Sequence, residues 1–445
     1  GDYLPNLNVV SLDIECSEHG VLYSIGLDSP MDRRVIMIGT PQECDTNVEW
    51  VESEPQLLQS LIRWFITYDP DVIIGWNVID FDFRLLHKRA DWHNIKLTIG
   101  RGNQSSYFRS AKNTQQGFIT IPGRVVLDGI DTLKTATYQF RSWSLESVAQ
   151  EMLGEGKVIH NVHDRMTEIN QMFRHDKPSL AKYNLQDCVL VNRIFEQTHL
   201  IDFAIQRSRL TGVELDRIGG SVAAFTHLYL PQLHRAGYIA PNLHSDDWLA
   251  SPGGYVMDSL PNLYDSVLVL DYKSLYPSII RSFLIDPLGL IEGLSLPIGR
   301  GPDHAVEGFR GGQFHRSKHF LPEMIKTLWQ ARDVAKQNQD KPLSQAIKII
   351  MNSFYGVLGS TGCRFFDPRL SGSITKRSHE ILKTTQRWIE KAGYQVIYGD
   401  TDSIFIHVGE DKTSEQSQTL GTQLAELINN NLKSELSERF NIESE

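Results

Sequence analysis

The stretch "VLDYKSLYPSII", residues 269–280, joins an aliphatic run to a carboxylate and then to a proline. The aliphatic run at 267–270 predicts a strand that is buried on both faces, and Pro277 fits the first turn of a helix that continues through Ile280. Asp271 then ends the strand. Because a carboxylate beside a core is costly unless a positive group meets it, the rest of the chain has to supply a cation.

A second stretch, "VIYGDTDSIFIHV" at 396–408, predicts a hairpin whose tip carries Asp400 and Asp402. Glycine and aspartate are ordinary turn residues, so a plain turn is the alternative. Two acids beside so many aliphatic residues are an unusual way merely to turn a chain. With Asp271 as a third carboxylate from a neighbouring segment of one sheet, the pattern indicates divalent metal ions and a phosphate-bearing substrate.

Cationic side chains occur on two helical patterns, 320–337 and 343–360, which are separated by a polar break at 339–342 and therefore predict a helical hairpin. Each pattern places its polar and cationic groups on one face. A solvated basic face is the ordinary explanation, but beside a triple-acid site these groups suit a triphosphate clamp. The groups are Arg332, Lys336, Lys348, Asn352 and Tyr355.

The first half of the chain offers a separate set of acids. "VVSLDIEC" places Asp13 and Glu15 on the same face of a strand, and one such pair alone most often marks a solvent-facing edge. "VIIGWNVIDFDF" predicts a strand, a turn and then Asp82 opening a helix. In "KYNLQDCVLV" the residues Tyr183 and Asp187 are one helical turn apart.

Four carboxylates gathered in one site repel one another unless divalent cations neutralise them. Two Mg²⁺ ions roughly 3.5–4 Å apart can activate a water and stabilise the leaving oxygen in phosphodiester hydrolysis. Tyr183 would orient that water. The first half therefore predicts a metal-dependent nuclease site.

Length and composition set limits on these predictions. A chain of 445 residues with 41% hydrophobic residues suits two to four domains. The four scattered cysteines argue against a zinc site or a disulfide framework, and we expect a cytoplasmic, nucleoid-associated location with no membrane partner. The net charge of −10 argues against a polyanionic partner. Residues 92–127 contain no Asp or Glu, however, and 308–364 are also basic, which predicts nucleic-acid contacts or solvated surfaces.

Three motifs, "DYKSLYPSII", "KIIMNSFYG" and "YGDTDS", follow the nuclease-like half in this order, and "PGGYV" at 252–256 lies between the halves. Together with the first set of acids they closely resemble the motifs of family B DNA polymerases. The resemblance implies an α/β and α+β multidomain fold, with a ribonuclease-H-like exonuclease domain followed by a polymerase palm with helical-hairpin fingers. The implied divisions are 1–220 exonuclease, 221–242 connecting segment, 243–305 palm, 306–362 fingers and 363–445 truncated palm, with the thumb and the N-terminal domain absent.

The resemblance also implies roles for residues. Asp271 and Asp402 would be the principal polymerase metal ligands, with Asp400 weaker, and each active site would take two Mg²⁺ or Mn²⁺ ions. The exonuclease ligands would be Asp13, Glu15, Asp82 and Asp187, with Tyr183 assisting the nucleophile. The Tyr276 ring would exclude a 2′-hydroxyl, and Tyr355 would line the minor-groove side of the new pair. The other nucleotide contacts would be the backbone of Ser274, Leu275 and Tyr276, the cations Arg332, Lys336 and Lys348, and Asn352.

The implied function is template-directed DNA synthesis with 3′→5′ proofreading in replication or repair. The partners would be primer-template DNA, deoxynucleoside triphosphates, a single-stranded 3′ end and, in a full-length protein, a sliding clamp. We expect the present chain to be a fragment with impaired synthesis. The alternative is a 3′→5′ exonuclease whose second half serves only as a nucleic-acid-binding platform.

Overall fold

A computed structural model of the chain describes residues 3–111, 116–155, 165–217, 219–243, 253–297, 303–409 and 412–442. The chain divides into two compact units. The first is Gly1–Arg209 with Val213–Gly219, and the second is Leu210–Gly212 with Gly220–Glu445. Pro252, which begins the "PGGYV" motif, lies outside the described residues. Within the described ranges, no helix is both long enough and apolar enough to cross a membrane.

The first unit is built on a mixed sheet with the strand order β4-β3-β2-β1-β5-β8. Strand β1 pairs antiparallel with β2 and parallel with β5, while β6 and β7 form a separate antiparallel pair. The strands are β1 Val9–Cys16, β2 Leu22–Asp28, β3 Arg33–Ile38, β4 Val48–Val51, β5 Val72–Gly75, β6 Tyr107–Ser110, β7 Gly117–Thr120 and β8 Val125–Asp128. The helices are α1 Glu54–Tyr68, α2 Arg84–Trp92, α3 Gly129–Thr135, α4 Leu145–Leu153, α5 Arg165–His175, α6 Lys177–Thr198 and α7 Leu200–Thr211.

Helices cover both faces of this sheet, so the residues of its central strands are buried on both faces instead of alternating between buried and exposed. All seven residues of β2 are buried. On one face the core includes Leu58, Leu61 and Phe65 of α1, and on the other Leu180 and Ala181 of α6 belong to a second cluster. The α/β architecture expected for this half is confirmed.

The second unit combines a helical core with a three-stranded sheet of order β12-β13-β9. Its strands are β9 Val267–Asp271, β10 Ala305–Glu307, β11 Gln313–His315, β12 Gln395–Asp400 and β13 Ser403–His407. Its helices are α8 Ser221–Arg235, α9 Leu275–Ser282, α10 Pro287–Leu294, α11 Leu321–Gln337, α12 Lys341–Leu358, α13 Pro368–Lys391 and α14 Ser414–Phe440. The apolar cluster under the sheet includes Leu382 and Ile389 of α13 and Leu420 and Leu424 of α14.

Several helices begin with an aspartate and a proline, which together explain where the chain turns into a helix. The aspartate side chain accepts a hydrogen bond from a free backbone N–H of the first turn, and proline fits there because its missing N–H has no partner to lose. The pairs are Asp176 with Pro178, Asp286 with Pro287, Asp340 with Pro342, and Asp367 with Pro368.

The predicted local structures of the second unit are confirmed with one exception. The helical hairpin, the β12–β13 hairpin and Pro277 in the first turn of α9 are present. The prediction that 267–270 is buried on both faces is wrong, since Val267 is 38% exposed and Val269 53%. Strand β9 lies at the edge of the sheet, where only Leu268 and Leu270 pack against the apolar cluster. An aliphatic run cannot by itself distinguish a strand covered on two faces from one covered on a single face.

Candidate active sites

Three carboxylates of the first unit come together at the centre of its sheet. Asp13 and Glu15 extend from β1, and Asp187 extends from α6, which packs against that strand. One ligand oxygen from each lies within 4.8 Å of the others. Tyr183 is one turn before Asp187 on α6 and is also buried. These residues have the oxygen-rich composition that Mg²⁺ and Mn²⁺ prefer.

Asp82 lies beside this group but is held differently. The sequence predicted that Asp82 opens an α-helix, and this prediction is wrong. Asp82 belongs to a π-helical turn, Val78–Phe83, that precedes α2. Such turns carry an extra residue and are frequent at functional sites, and no periodicity in six residues would reveal one. The Asp82 carboxylate accepts a hydrogen bond of 2.9 Å from the backbone N–H of Ile14, between the two β1 acids.

The electrostatics of this cluster favour a bound cation. Burial, together with the charges of Asp13 and Glu15, raises the pKa of Asp82 well above its ordinary value. Burial also raises the pKa of the Tyr183 hydroxyl, with further contributions from Asp187 and Glu15. Each acid therefore makes it harder for its neighbours to ionise. A divalent cation among these oxygens would remove that repulsion, so the residues fit a metal site.

Two further side chains at this cluster were missed from the sequence. Asn184, between Tyr183 and Asp187, donates a hydrogen bond of 2.7 Å to Oδ2 of Asp13. Its position three residues before Asp187 was the available signal, because such residues share a helical face. The Arg165 guanidinium is 3.7 Å from Asp187, and no spacing rule connects a residue 22 positions earlier to this site.

The acids of the second unit lie at the exposed end of its sheet. Asp271 ends β9 and stands opposite Ser403 of β13, while Asp400 ends β12 and Asp402 lies in the turn. The Ser403 hydroxyl is 2.7 Å from Oδ1 of Asp271 and 3.4 Å from Oδ1 of Asp402. Burial and then the charge of Asp271 raise the pKa of Asp402.

These three acids are gathered less tightly than those of the first unit. Among the described residues, Asp13, Glu15 and Asp187 form the only trio with all ligand atoms within 4.8 Å. The Asp400 carboxylate instead accepts a hydrogen bond of 2.8 Å from the Thr401 hydroxyl. Exposed carboxylates repel one another and turn to nearby donors, so a cation would have to draw this oxygen toward the other two acids.

The turn that carries Asp402 is held in a strained conformation by a neighbouring segment. Thr401 has a φ of 56°, a region that β-branched residues rarely adopt. Its backbone N–H donates a hydrogen bond of 2.8 Å to the carbonyl of Tyr255, and Val256 forms a β-bridge with Asp400. A Cβ on Gly254 would lie 2.6 Å from the Thr401 hydroxyl oxygen, so a larger residue there would displace the Thr401 side chain. The "GGYV" segment thus fixes the acidic turn.

The residues predicted to contact a nucleotide lie on α9, α11 and α12. Ser274 precedes α9 with a φ of 51°, and Leu275 after it is buried. The rings of Tyr276 and Tyr355 have centroids 4.6 Å apart. Burial, the other tyrosine and the charges of Asp402 and Asp400 raise the pKa of Tyr276 to about 12, so its hydroxyl stays protonated beside the acids.

The cationic residues of the helical hairpin are available to a ligand. Lys336 is exposed on α11, and Lys348 and Asn352 are exposed on α12. The Nε atom of Arg332 is buried and makes no hydrogen bond within the described residues. Because a buried donor without a partner costs free energy, an anionic ligand that accepted from it would be favoured.

Comparison with known proteins identifies the family. Residues 219–445 match the sequence profile of DNA polymerase family B. The chain belongs to this family. Residues 1–148 match its exonuclease domain, and the resemblance inferred from the motifs is confirmed.

Individual relatives agree with the family assignment. The chain is 54% identical to DNA polymerase II of Escherichia coli strain K12, covering 96% of this chain and 55% of that protein. It is 27% identical to the DNA polymerase delta catalytic subunit of Schizosaccharomyces pombe, covering 95% of this chain and 44% of that protein. The chain thus spans about half the length of these curated relatives of the family.

A solved family B structure supports the fold. The DNA polymerase of the hyperthermophilic archaeon Pyrobaculum calidifontis superposes with a TM-score of 0.73 at 22% identity, covering 100% of this chain and 56% of that one. At that identity the likeness concerns the fold alone. It agrees with the predicted multidomain fold of mixed α/β content.

Proposed function

We propose that the chain carries out template-directed DNA synthesis at the acids of its second unit and 3′→5′ removal of mispaired ends at the acids of its first unit. The main support for this proposal is that each compact unit has its own cluster of carboxylates, at the positions of family B motifs. The match to the polymerase family and to its exonuclease domain supports these two activities. The relatives that are named DNA polymerases are about twice as long as this chain.

In the synthesis step, the primer 3′-oxygen attacks the α-phosphorus of a deoxynucleoside triphosphate and the bond to the β-phosphate breaks, releasing pyrophosphate. Asp271 and Asp402 would hold two divalent ions, which when bound lower the pKa of the 3′-hydroxyl and stabilise the leaving oxygens. Arg332, Lys336 and Lys348 would neutralise the triphosphate, and Asn352 would hydrogen-bond to it.

Selection of the correct nucleotide would depend on shape. Base pairing with the template chooses the base. The Tyr276 ring, packed against Tyr355, would lie under the incoming sugar and exclude a 2′-hydroxyl by steric overlap. The backbone at Ser274, strained into its positive φ, would be pre-organised to present N–H groups to the triphosphate. Movement of α11 and α12 onto a correct pair would complete the site.

In the exonuclease step, Asp13, Glu15 and Asp187 would hold the metal with Asp82 beside them, and the Tyr183 hydroxyl would orient the attacking water toward the terminal phosphodiester. The Asp82 carboxylate is already fixed by the Ile14 N–H. The burial of Asp82 keeps bulk water from competing for the contacts of its carboxylate.

The domain divisions follow from these roles. We assign 1–220 to the exonuclease, 243–305 and 363–445 to the palm, and 306–362 to the fingers. The segment 221–242, expected to connect the two halves, contains α8, whose Phe225 and Tyr229 lie in the core of the second unit. Primer-template DNA and deoxynucleoside triphosphates are the proposed substrates, a sliding clamp is a proposed partner of a longer protein, and the proposed location is the bacterial cytoplasm.

Primer extension and 3′ digestion by the same preparation test this function. A labelled primer on a longer template, with Mg²⁺ and all four nucleotides, should lengthen, and the same primer without nucleotides should shorten. The same assays are repeated with a full-length chimera that carries the thumb and N-terminal domain of a relative. Digestion without any extension by both proteins would instead favour the nuclease-only alternative. The absence of both activities in that chimera would refute the proposal.

A further inference from the structure

The acid Asp13 accepts hydrogen bonds from the side-chain amide of Asn184. Asn184 on α6 is completely buried. Its Nδ2 donates to Oδ2 of Asp13 at 2.7 Å and to the Asp13 backbone carbonyl at 3.1 Å, while its Oδ1 accepts from the Ser24 hydroxyl at 2.8 Å. Both amide protons and the amide oxygen therefore have partners. The Ser24 hydroxyl, which is buried too, sets which way the amide faces.

The sheet is shaped to let this contact form. In the register of β1 and β2, Gly26 stands opposite Asp13 and Ser24 stands opposite Glu15. A Cβ on Gly26 would lie 2.9 Å from Sγ of Cys188 and 3.0 Å from Nδ2 of Asn184. The missing side chain is therefore what lets α6 approach β1 closely enough for its amide to reach Asp13.

The same helix repeats this arrangement away from the acids. Asn192, eight residues further along α6, donates from Nδ2 to the backbone carbonyl and to Oδ2 of Asp28, both at 2.9 Å. Asp28 also lies in the first unit but is ion-paired with Arg33 and is not part of the acidic trio. The two asparagines thus make the same pair of bonds to two aspartates, of which one belongs to the proposed metal site.

We propose that Asn184 is a positioning residue for exonuclease catalysis, which orients the Asp13 carboxylate for divalent metal through the bonds that link it to Ser24. This proposal rests on the proposed exonuclease function. Carboxylate ligands of metals are themselves held by hydrogen bonds, and loss of such a bond typically weakens metal binding or activity by about 10–100-fold. Without the amide, the Asp13 carboxylate loses the hydrogen bond at its Oδ2 that holds its orientation against repulsion from Glu15 and Asp187.

The test compares Asn184→Ala with Asn192→Ala, and adds Asn184→Leu, which removes the amide while keeping a side chain branched at Cγ. Mn²⁺ binding is measured by electron paramagnetic resonance in a chain that also carries Asp271→Ala and Asp402→Ala, so that only the first unit's acids report. Digestion of a single-stranded oligonucleotide and thermal unfolding are followed in parallel.

We expect both Asn184 variants to bind Mn²⁺ about 10–100-fold more weakly and to digest about 10–100-fold more slowly, whereas Asn192→Ala stays within about twofold of the parent in both measurements. Asn192→Ala and Asn184→Ala should both lower the unfolding temperature, since each leaves an aspartate carboxylate with one donor fewer.

Unchanged Mn²⁺ binding in both Asn184 variants, or an equal loss in Asn192→Ala, would show that the amide only stabilises the fold and would overturn the assignment. The proposed exonuclease function fails separately. If the parent chain binds Mn²⁺ but digests nothing, that function is wrong, while the Mn²⁺ titration still decides what Asn184 does.

Discussion

The two acidic clusters of this chain are built in opposite ways. In the first unit, Glu15, Asp82 and Asp187 are at most 5% exposed and lie under helices on a covered sheet. In the second unit, Asp271 and Asp400 are exposed at the end of an edge strand and a hairpin. The buried cluster already has the short separations that a metal requires. The exposed cluster needs its substrate and ions to draw the carboxylates together.

The difference in exposure agrees with the size of the substrate that each proposed site would have to admit. A single-stranded 3′ end is thin and can enter a narrow, preformed site, where fixed carboxylates lose little entropy on binding metal. A primer-template duplex and a nucleotide are bulky and must approach from solvent. An open site that closes on the correct pair also supplies discrimination, which a preformed site does not. We therefore infer that selectivity and pre-organisation are divided between the two units.

The largest expected effect is at the exposed cluster. If Asp402 is a principal metal ligand, as proposed, Asp402→Ala should reduce primer extension by on the order of a thousandfold or more, and digestion should persist. Extension and digestion assays on one preparation measure both. Loss of both activities in a folded variant would contradict the division into two sites.

The reciprocal change is at the buried cluster. Asp13→Ala should reduce 3′ digestion by a comparable factor, on the order of a thousandfold, while extension is retained. Extension should then leave more mismatched ends, which sequencing of the products would count. If extension disappeared as well, the acids of the first unit would be needed for synthesis and the comparison would break down.

The free energy of unfolding should respond differently to substitutions in the two clusters. Asp82→Asn removes a carboxyl group whose ionisation is opposed by burial and by the charges of Asp13 and Glu15, yet it keeps an oxygen for the Ile14 N–H. It should therefore raise the free energy of unfolding without metal. Asp271→Asn, at an exposed position, should change it by less than about 0.5 kcal/mol. Urea unfolding with a metal chelator measures both. Equal effects would mean that burial does not distinguish the sites.

A pH experiment sharpens the same contrast within the first unit. Burial raises the pKa of Asp128 to about 7, although its carboxylate accepts hydrogen bonds from the N–H groups of Val78 and Asp131. A raised pKa in the folded state means that stability is lost as pH rises from the ordinary value of 3.8 through 7. Asp128→Asn should therefore gain stability relative to the parent as the pH rises from about 4 to about 7, by at most about 4 kcal/mol. An offset that does not change with pH would argue that Asp128 is ionised throughout.

The smallest effect is expected at Ser403. Its hydroxyl contacts Asp271 in an exposed position, where water can replace it, so Ser403→Ala should slow extension by less than about fivefold. The buried amide of Asn184 has no such replacement. Steady-state extension rates, compared with digestion rates of Asn184→Ala, would show whether burial decides how much a supporting hydrogen bond matters.

Much of the fold could be predicted because its signals are local. Aspartate and proline at 340 and 342 define the start of α12, and the apolar runs around Asp400 and Asp402 define a hairpin. Each depends on residues a few positions apart. The candidate acids could be predicted for the same reason, since each lies in a short motif.

The features that could not be predicted depend on residues far apart in the chain. The exposure of Val269 reflects which side of the sheet is covered, and that is decided by α13 and α14 more than a hundred residues later. Asn184 gains its role from Ser24 and Gly26, on a strand distant in sequence. A single sequence records the residue types of such contacts but not their pairing.

The π-helical turn at Val78–Phe83 makes the first unit sensitive to the number of residues in the chain as well as to their identity. Deleting one residue between Asn77 and Asp82 would let the turn close as an ordinary α-helix, and the position of Asp82 relative to β5 would shift. Its carboxylate would then leave the Ile14 N–H and the acids around it. Deleting one residue from this π-helical turn should therefore reduce 3′ digestion more than most substitutions at Ile79 or Phe81.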